Sequence, residues 1–175
     1  GADVVKVEPL DGDNTRRLVG AGAGFFVTFN RGKRSLAVDL KSAEGRDVIV
    51  RLVRQVDVLI ESYRPGVTSR VGLGYEDLKA HNPGLVYCST TGYGQHGPYA
   101  QRAGHDIDYL AVGGFLACSG RDAEGRPALP GATVADSAGG GMHAAMSIMA
   151  ALVGRATTGV GTHLDVSVVD GVLNL

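Results

Sequence analysis

The stretch SAEGRDVIVRLVRQVDVLI, residues 42–60, decides the fold class. Ser42 is a typical helix N-cap, and after it apolar side chains recur every three or four positions to about Gln55, which predicts an amphipathic helix. The next five residues, Val56 to Ile60, are almost continuously apolar, which predicts a strand buried on both faces. A helix with one apolar face followed directly by such a strand indicates an α/β fold.

The rest of the chain repeats this alternation. Short apolar runs predict further strands at 2–8, 36–40, 85–89 and 162–168, and helical spacing predicts helical segments at 65–71, 75–81 and about 107–115. The run from about Ser137 to Arg155 is apolar on nearly every side, so we expect a helix buried inside the molecule. Together these elements predict a Rossmann-like parallel sheet with helices on both faces.

Composition excludes several classes of protein. The 175 residues carry 17 Lys and Arg against 18 Asp and Glu, a net charge of −1 with no basic block, so neither nucleic acid nor an anionic membrane surface is expected as the main partner. The longest apolar stretch, 142–153, is too short to span a bilayer. Cys88 and Cys118 are predicted to be buried small side chains in a reducing, cytoplasmic environment, and no secretory leader is visible.

Metal and dinucleotide sites are not expected. The histidines and cysteines show none of the spacings typical of metal sites. The segment GYGQHG, residues 92–97, matches the dinucleotide fingerprint, but Pro98 follows where a helix should begin, so we reject NAD binding. A second glycine cluster, residues 20–24, has the wrong spacing and is interpreted as a flexible connection.

Two residues are candidates for acid-base chemistry. His105 stands just before a helical pattern, where it is a candidate general base or a residue that only satisfies free amides at a helix start. Asp136 precedes Gly139-Gly140-Gly141 at the start of the predicted buried helix, where it is a candidate functional carboxylate or an ordinary N-cap. The three glycines weaken that helix, and one gain would be room for a ligand to approach backbone amides.

Arginine outnumbers lysine, 13 to 4 by count of the printed sequence, and clusters early in the chain. Arg16-Arg17 and Arg31-Gly32-Lys33-Arg34 suit a phosphate-bearing ligand, because a guanidinium binds two phosphate oxygens at once. An exposed charged loop explains them equally well.

In their order along the chain, several segments resemble one family, the class III CoA-transferases of CaiB/BaiF type, which include the α-methylacyl-CoA racemases. The segments that carry the resemblance are GADVVKVEP (1–9), NRGKRSL (30–36), VDLK (38–41), DVLIE (57–61), RPGV (64–67), GLGY (72–75) and TGYGQHGP (91–98). The resemblance covers essentially all of residues 1–175. It implies that the chain is part of the large CoA-binding domain, with a short front segment and a later small domain absent, which agrees with a chain that starts at Gly1 and stops in mid-pattern.

The resemblance also implies the ligand, the assembly and the site. It implies an acyl-CoA thioester as substrate, with coenzyme A as part of that substrate and no separate cofactor, and an interlocked homodimer. The positions that match the family's CoA-contacting segments are Val38, Asp39, Leu40 and Lys41, and then Gly104, Asp106, Ile107, Asp108 and Tyr109.

The family divides on chemistry, and the chain carries features of both branches. AGHDIDY, residues 103–109, resembles the racemase motif, whose histidine is one of two acid-base groups, and Ala135-Asp136 resembles the segment that holds the second. In the transferases the position of Asp136 is a nucleophile that forms an acyl anhydride and then an aspartyl-CoA thioester. Pro9 stands where racemases tend to carry an arginine for CoA phosphate, and Glu8-Pro9 with Gly12-Asp13 looks more like a transferase.

We therefore expect racemase-like proton transfer at the carbon α to a CoA thioester, with His105 and Asp136 on opposite faces of that carbon. Amides at the glycine-flanked helix start or in a nearby loop would hold the enolate oxygen. The alternative is a CoA-transferase that uses Asp136 as nucleophile and leaves His105 without a role. A non-catalytic acyl-CoA or nucleotide-binding module is a third possibility.

Overall fold

The computed structural model describes residues 1–19 and 21–175. The strands are β1 (Val5–Glu8), β2 (Arg34–Ala37), β3 (Val58–Glu61), β4 (Val86–Thr91) and β5 (Thr162–Ser167). The helices are α1 (Ala21–Asn30), α2 (Ala43–Val53), α3 (Val67–Arg70), α4 (Tyr75–Leu78), α5 (Asp106–Val112), α6 (Phe115–Cys118), α7 (His143–Thr158) and α8 (Val168–Val172). A 3₁₀ turn spans Asn14–Arg17, and a π-helix spans Ala135–Met142 and continues directly into α7.

The chain divides into two compact units, Gly1–Ile49 and Val50–Leu175. In the first unit β1 and β2 pair in parallel, with Val5 opposite Arg34. The buried carboxylate of Glu8 at the end of β1 accepts hydrogen bonds from Arg16, Ser35 and the backbone N–H of Asp13. Ser42 caps α2 as predicted, because its Oγ accepts a hydrogen bond from the N–H of Gly45 at 2.9 Å.

The second unit is built on a parallel sheet in the order β3-β4-β5. The even-numbered side chains of central β4 pack on α7, in a core of Val86, Cys88, Ala144, Ile148 and Val166. On the other face the Tyr87 hydroxyl donates to the carbonyl of Leu73 at 3.2 Å, and its ring lies edge-on to the ring of Tyr75 in α4. The predicted α/β class, with parallel strands and helices on both faces, is confirmed, although the described strands form two sheets rather than one.

A second core lies beyond the carboxyl ends of β4 and β5 and positions the candidate site. Ser167 caps α8, because its Oγ accepts from the N–H of Asp170 at 3.2 Å. The helix α5 and the π-helix pack together on α8, and their buried side chains are Tyr109, Leu110, Ala135, Val168 and Val172. In parallel α/β sheets this end is where ligands bind.

The prediction that residues 137–155 form a fully buried helix is wrong for this chain. The segment is helical, but only one face, with Ala144 and Ile148, is buried against the sheet. Met142 at the end of the π-helix and Met146, Met149 and Val153 on α7 form an exposed apolar stripe, each more than half exposed. The physical reason is that a sheet covers one side of a helix, and none of the described residues packs on the other side closely enough to bury it.

Two smaller predictions are also corrected. Cys88 is buried, but Cys118, at the end of α6, is an exposed free thiol, because that helix lies at the surface. The glycine cluster interpreted as a connection begins α1 at Ala21, and its Gly20 lies outside the described residues. Within the described ranges no helix is long and apolar enough to cross a membrane.

Candidate active site

His105 occupies the N-cap position of α5 and is exposed. Its backbone is fixed from both sides: its N–H donates to the Asp108 carboxylate at 2.9 Å, and its carbonyl accepts from the N–H of Asp108 at 2.9 Å. The imidazole itself makes no capping hydrogen bond. The His105 ring therefore does not accept from the amides at the helix start, as the alternative interpretation required.

Asp136 lies in the first turn of the π-helix and is not an N-cap, because Val134 holds that position. The backbone N–H of Asp136 donates to Oδ1 of Asp106 at 2.9 Å. Asp106 is the first residue of α5 and the neighbour of His105. This hydrogen bond joins two segments that are 30 residues apart in the chain and brings the His105 and Asp136 segments to one place.

The electrostatics of the site act on the carboxyl group of Asp136. Although Asp136 is an exposed residue, surrounding protein atoms remove enough water to raise the pKa of its carboxyl above the usual value. The negative charge of Asp106 raises this pKa further, and His105 opposes the shift. A raised pKa marks a carboxyl group that holds its proton more readily, which suits both an acid-base group and a basic nucleophile.

Tyr109 holds α5 against the loop before it. Its hydroxyl donates to the carbonyl of Gly104 at 2.6 Å, and its ring lies edge-on to Tyr93 with centroids 5.3 Å apart. A Cβ atom on Gly92 or Gly104 would overlap this ring, so both positions need glycine. Burial raises the pKa of the Tyr109 phenol, and the charge of Asp136 adds to the shift.

The two other glycines of GYGQHG, Gly94 and Gly97, have positive φ angles of 78° and 95° in a loop. No helix begins at this loop, which is the physical ground on which NAD binding was rejected.

The interpretation of the glycines after Asp136 as space for a ligand is wrong for Gly139 and Gly140. Both are buried, and a Cβ on Gly139 would lie 2.8 Å from the carbonyl oxygen of Val168. The glycines therefore allow α8 to approach the π-helix closely. Two amides at this helix start are also occupied, since Asp136 N–H donates to Asp106 and Ser137 N–H donates to the Thr133 carbonyl at 3.0 Å.

The residues matched to CoA contacts lie in both units. Val38, Asp39, Leu40 and Lys41 form the turn between β2 and α2, where Oδ1 of Asp39 accepts from the N–H of Lys41 at 2.9 Å. Gly104 and residues 106–109 form the start of α5 in the second unit. Of the latter, Tyr109 is buried and Ile107 and Asp108 are exposed.

The early basic cluster lines a cleft of about 260 Å³ in the first unit. Its basic lining side chains are Lys6, Arg16, Arg31, Lys33 and Arg34. Arg16 is already paired with the buried Glu8 carboxylate, at 2.8 Å. Phosphate binding by this cluster stays a prediction.

Among the residues that the structure describes, no group of three or more His, Cys, Asp or Glu side chains is placed to hold a metal ion.

The sequence does not predict one contact of the candidate site, the hydrogen bond from Asp136 N–H to the Asp106 side chain. From the sequence, Asp106 is a neighbour of His105 and a position of the CoA-contacting segment. The only local signal was an acidic residue in the first turn of a helix, which is too common to identify a partner 30 residues away.

Comparison with known proteins shows a family model and several relatives that are similar to this chain. The model of the family described as CoA-transferase family III matches residues 1–175. The succinate–glutarate CoA-transferase of Agrobacterium fabrum is 40% identical over 97% of this chain and 45% of its own length. The α-methylacyl-CoA racemase of Homo sapiens is 45% identical over 81% of this chain and 37% of its own length. The chain thus spans less than half the length of these relatives.

A solved structure agrees with this comparison. The crystal structure of a CAIB/BAIF family protein from Brucella suis has a TM-score of 0.92 and 41% identity to this chain. It covers 100% of this chain, which in turn covers 48% of that protein.

Proposed function

The chain belongs to CoA-transferase family III, and from this premise we propose that it forms part of an enzyme that moves a proton on the carbon α to a CoA thioester, in the manner of an α-methylacyl-CoA racemase. His105 and Asp136 are the two acid-base groups. The observation that carries this proposal is the hydrogen bond of 2.9 Å from Asp136 N–H to the Asp106 carboxylate, because it brings the two segments together.

The chemistry needs two groups on opposite faces of one carbon. A thioester stabilises an adjacent carbanion as an enolate, so one group can remove the α-proton and the other can deliver a proton to the opposite face. An imidazole exchanges protons near neutral pH, and the raised pKa of Asp136 brings its carboxyl closer to that range. Because the amides of Asp136 and Ser137 at the start of the π-helix are occupied, the enolate oxygen would be held by a nearby loop.

The substrate in this proposal is an acyl-CoA thioester. Its CoA part would contact Val38, Asp39, Leu40 and Lys41, and Gly104, Asp106, Ile107, Asp108 and Tyr109, the positions that match the family's contacting segments. Coenzyme A enters as part of the substrate, so no separate cofactor is required. The interlocked homodimer implied by the family and the cytoplasmic location inferred from the cysteines stay predictions.

A second function is supported by specific observations. Pro9 stands where racemases tend to carry arginine, and relatives named as transferases match this chain at an identity and coverage similar to those of relatives named as racemases. In a CoA-transferase the Asp136 carboxylate would attack the thioester carbonyl and form an acyl anhydride, releasing CoA thiolate. That thiolate would then attack the Asp136 carbonyl of the anhydride and expel the acyl group as a carboxylate, leaving an aspartyl-CoA thioester.

Exchange of the α-proton tests the proposal. The protein, expressed from its complete open reading frame, is incubated with a 2-methylacyl-CoA in D₂O, and deuterium at the α-carbon is measured by NMR. We expect exchange by the parent protein and none by His105→Ala. His81→Ala, which removes an exposed histidine after α4, is the matched control and should exchange at the parent rate. Parent-level exchange by His105→Ala would overturn the assigned role of His105.

Trapping with hydroxylamine distinguishes the second function. Hydroxylamine attacks the activated Asp136 carbonyl of a transferase intermediate and leaves a hydroxamate, with release of CoA or the acyl carboxylate. A mass increase on the peptide that contains Asp136 during turnover, together with absent deuterium exchange, would identify a transferase. An unmodified Asp136 together with exchange supports the racemase chemistry.

A further inference from the structure

We propose that Asp106 is a positioning residue that holds Asp136 through its backbone and sets the charge around its carboxyl group. This inference rests on the proposed function of Asp136 and assigns this role to the side chain of Asp106, which leaves its backbone for the predicted contact with CoA. It follows from the one side-chain hydrogen bond that joins the start of α5 to the start of the π-helix in the described part of the chain.

The first argument is geometric. The N–H groups in the first turn of a helix have no partner within the helix and need acceptors from elsewhere. Asp136 N–H is such a group, and its acceptor is Oδ1 of Asp106, at 2.9 Å, rather than a cap from its own segment. Asp106 is half-buried, so water competes less with this contact than at an exposed site.

The second argument is that both ends of this link are anchored. On α5, Asp108 holds the His105 N–H, and the buried Tyr109 holds Gly104 through its hydroxyl. On the π-helix, Ala135 is buried, and Gly139 packs so closely on α8 that a Cβ on Gly171 would overlap its carbonyl. The hydrogen bond between two anchored segments therefore fixes how Asp136 lies relative to His105.

The third argument is electrostatic. The Asp106 charge is the second cause, after loss of water, of the raised pKa of Asp136, and His105 acts in the opposite direction. The other elements packed on the π-helix bring His143 on α7, Asp165 on β5 and Asp170 on α8, and none of these contributes to the shift. The charge that tunes Asp136 thus comes from α5.

Two substitutions separate the hydrogen bond from the charge. Asp106→Asn keeps an oxygen that can accept from Asp136 N–H and removes the charge, whereas Asp106→Ala removes both. We measure kcat and KM for acyl-CoA and the pH profile of α-proton exchange, with the protein expressed from its complete open reading frame. Asp47→Asn, an exposed charge on α2, is the control for loss of one negative charge.

For Asp106→Ala we expect kcat to fall about 100-fold with KM changed little, the effect of misplacing a catalytic group by about 1 Å. Asp106→Asn should keep most of kcat and move the low-pH limb of the profile to lower pH. The limb moves to lower pH because removal of a neighbouring negative charge lowers the pKa of the Asp136 carboxyl group. Asp47→Asn should leave the profile unchanged.

Three results would overturn the inference. A rise in KM at parent kcat in Asp106→Ala would make Asp106 a CoA contact, and an unshifted limb in Asp106→Asn would remove its electrostatic role. Equal loss of kcat in both variants would show that the retained acceptor does not position Asp136. If Asp106→Ala does not fold, Asp106→Asn alone decides through its pH profile.

Failure of the proposed function is recognised separately, because the parent protein then shows no deuterium exchange. In that case the same variants are compared through the rate of hydroxamate formation at Asp136 and its pH dependence, with the same expected directions.

Discussion

At the scale of single residues, Glu8 shows how a buried charge is stabilised in this chain. Its carboxylate is buried and accepts hydrogen bonds from Arg16, from Ser35 at 2.6 Å and from Asp13 N–H at 2.9 Å. Buried charges persist only when they are paired and hydrogen-bonded. These partners lower the pKa of Glu8 from 4.5 to about 2, first through the Arg16 hydrogen bond and then through Ser35.

This shift predicts a stability that depends on pH. Because the pKa is lower in the folded than in the unfolded chain, the stabilisation by ionised Glu8 is fully present above about pH 4.5 and is lost as the pH falls through about 2. We expect Glu8→Gln to lower the thermal midpoint at pH 7 and to flatten the decline between pH 4.5 and 2, measured by circular dichroism.

A matched control for Glu8→Gln is Asp3→Asn. Asp3 pairs with Arg34 at 2.6 Å, but both side chains are mostly exposed, and exposed ion pairs contribute little to stability. A loss of stability in Asp3→Asn as large as in Glu8→Gln would contradict the importance given to burial.

At the scale of elements, close contact between the π-helix and α8 supports the candidate site. Gly139 and Gly171 face each other so closely that a Cβ on Gly171 would overlap the carbonyl of Gly139. Insertions of this π type often occur at functional sites. Here the π-helix carries Asp136 in its first turn, and its close packing on α8 holds that turn in place.

We expect Gly171→Ala to destabilise the protein by about 1–3 kcal/mol, the usual cost of overpacking, with a shift in the denaturant midpoint as the measurement. It should also lower kcat, because the segment of Asp136 must move to make room.

The control for Gly171→Ala is Gly154→Ala in α7. A methyl group added at Gly154 would have no atom within 4 Å, so alanine should stabilise the helix by up to about 1 kcal/mol. A destabilisation of equal size at both positions would contradict the contact with α8 as the cause.

At the scale of the whole molecule, the stripe formed by the end of the π-helix and α7 leaves apolar side chains exposed. Its members are Met142 at the end of the π-helix and Met146, Met149 and Val153 on α7, which are 56–72% exposed. Contiguous exposed apolar surface of this kind favours association or aggregation. The chain spans less than half of its relatives' length, and leaving this apolar stripe in water is unfavourable.

We therefore expect residues 1–175, expressed alone, to self-associate, as measured by sedimentation velocity over a range of concentrations. Met146→Gln together with Met149→Gln should reduce this association without lowering the unfolding midpoint, because neither side chain is buried. Replacement of the buried Ile148 by Gln should lower the midpoint instead. Unchanged association in the double variant would exclude the stripe as the contacting surface.

Much of the fold could be predicted because its signals are local. The helix and strand of residues 42–60, the cap at Ser42 and the parallel direction of the strands follow from side-chain periodicity and from chain connectivity, and β3, β4 and β5 are parallel as expected. The burial of α7 could not be predicted in this way. An apolar helix has the same sequence pattern whether its second face is covered or exposed.

The amino-acid sequence by itself determined the α/β class, the family and the choice of His105 and Asp136 as candidates, because each depends on residue types and their order. Only the tertiary structure decided that Asp106 holds Asp136 by its backbone, that Gly139 makes room for α8 rather than for a ligand, and that α7 leaves one face exposed. The physical reason is that hydrogen bonds and close contacts between distant segments depend on three-dimensional distance, which no local pattern encodes.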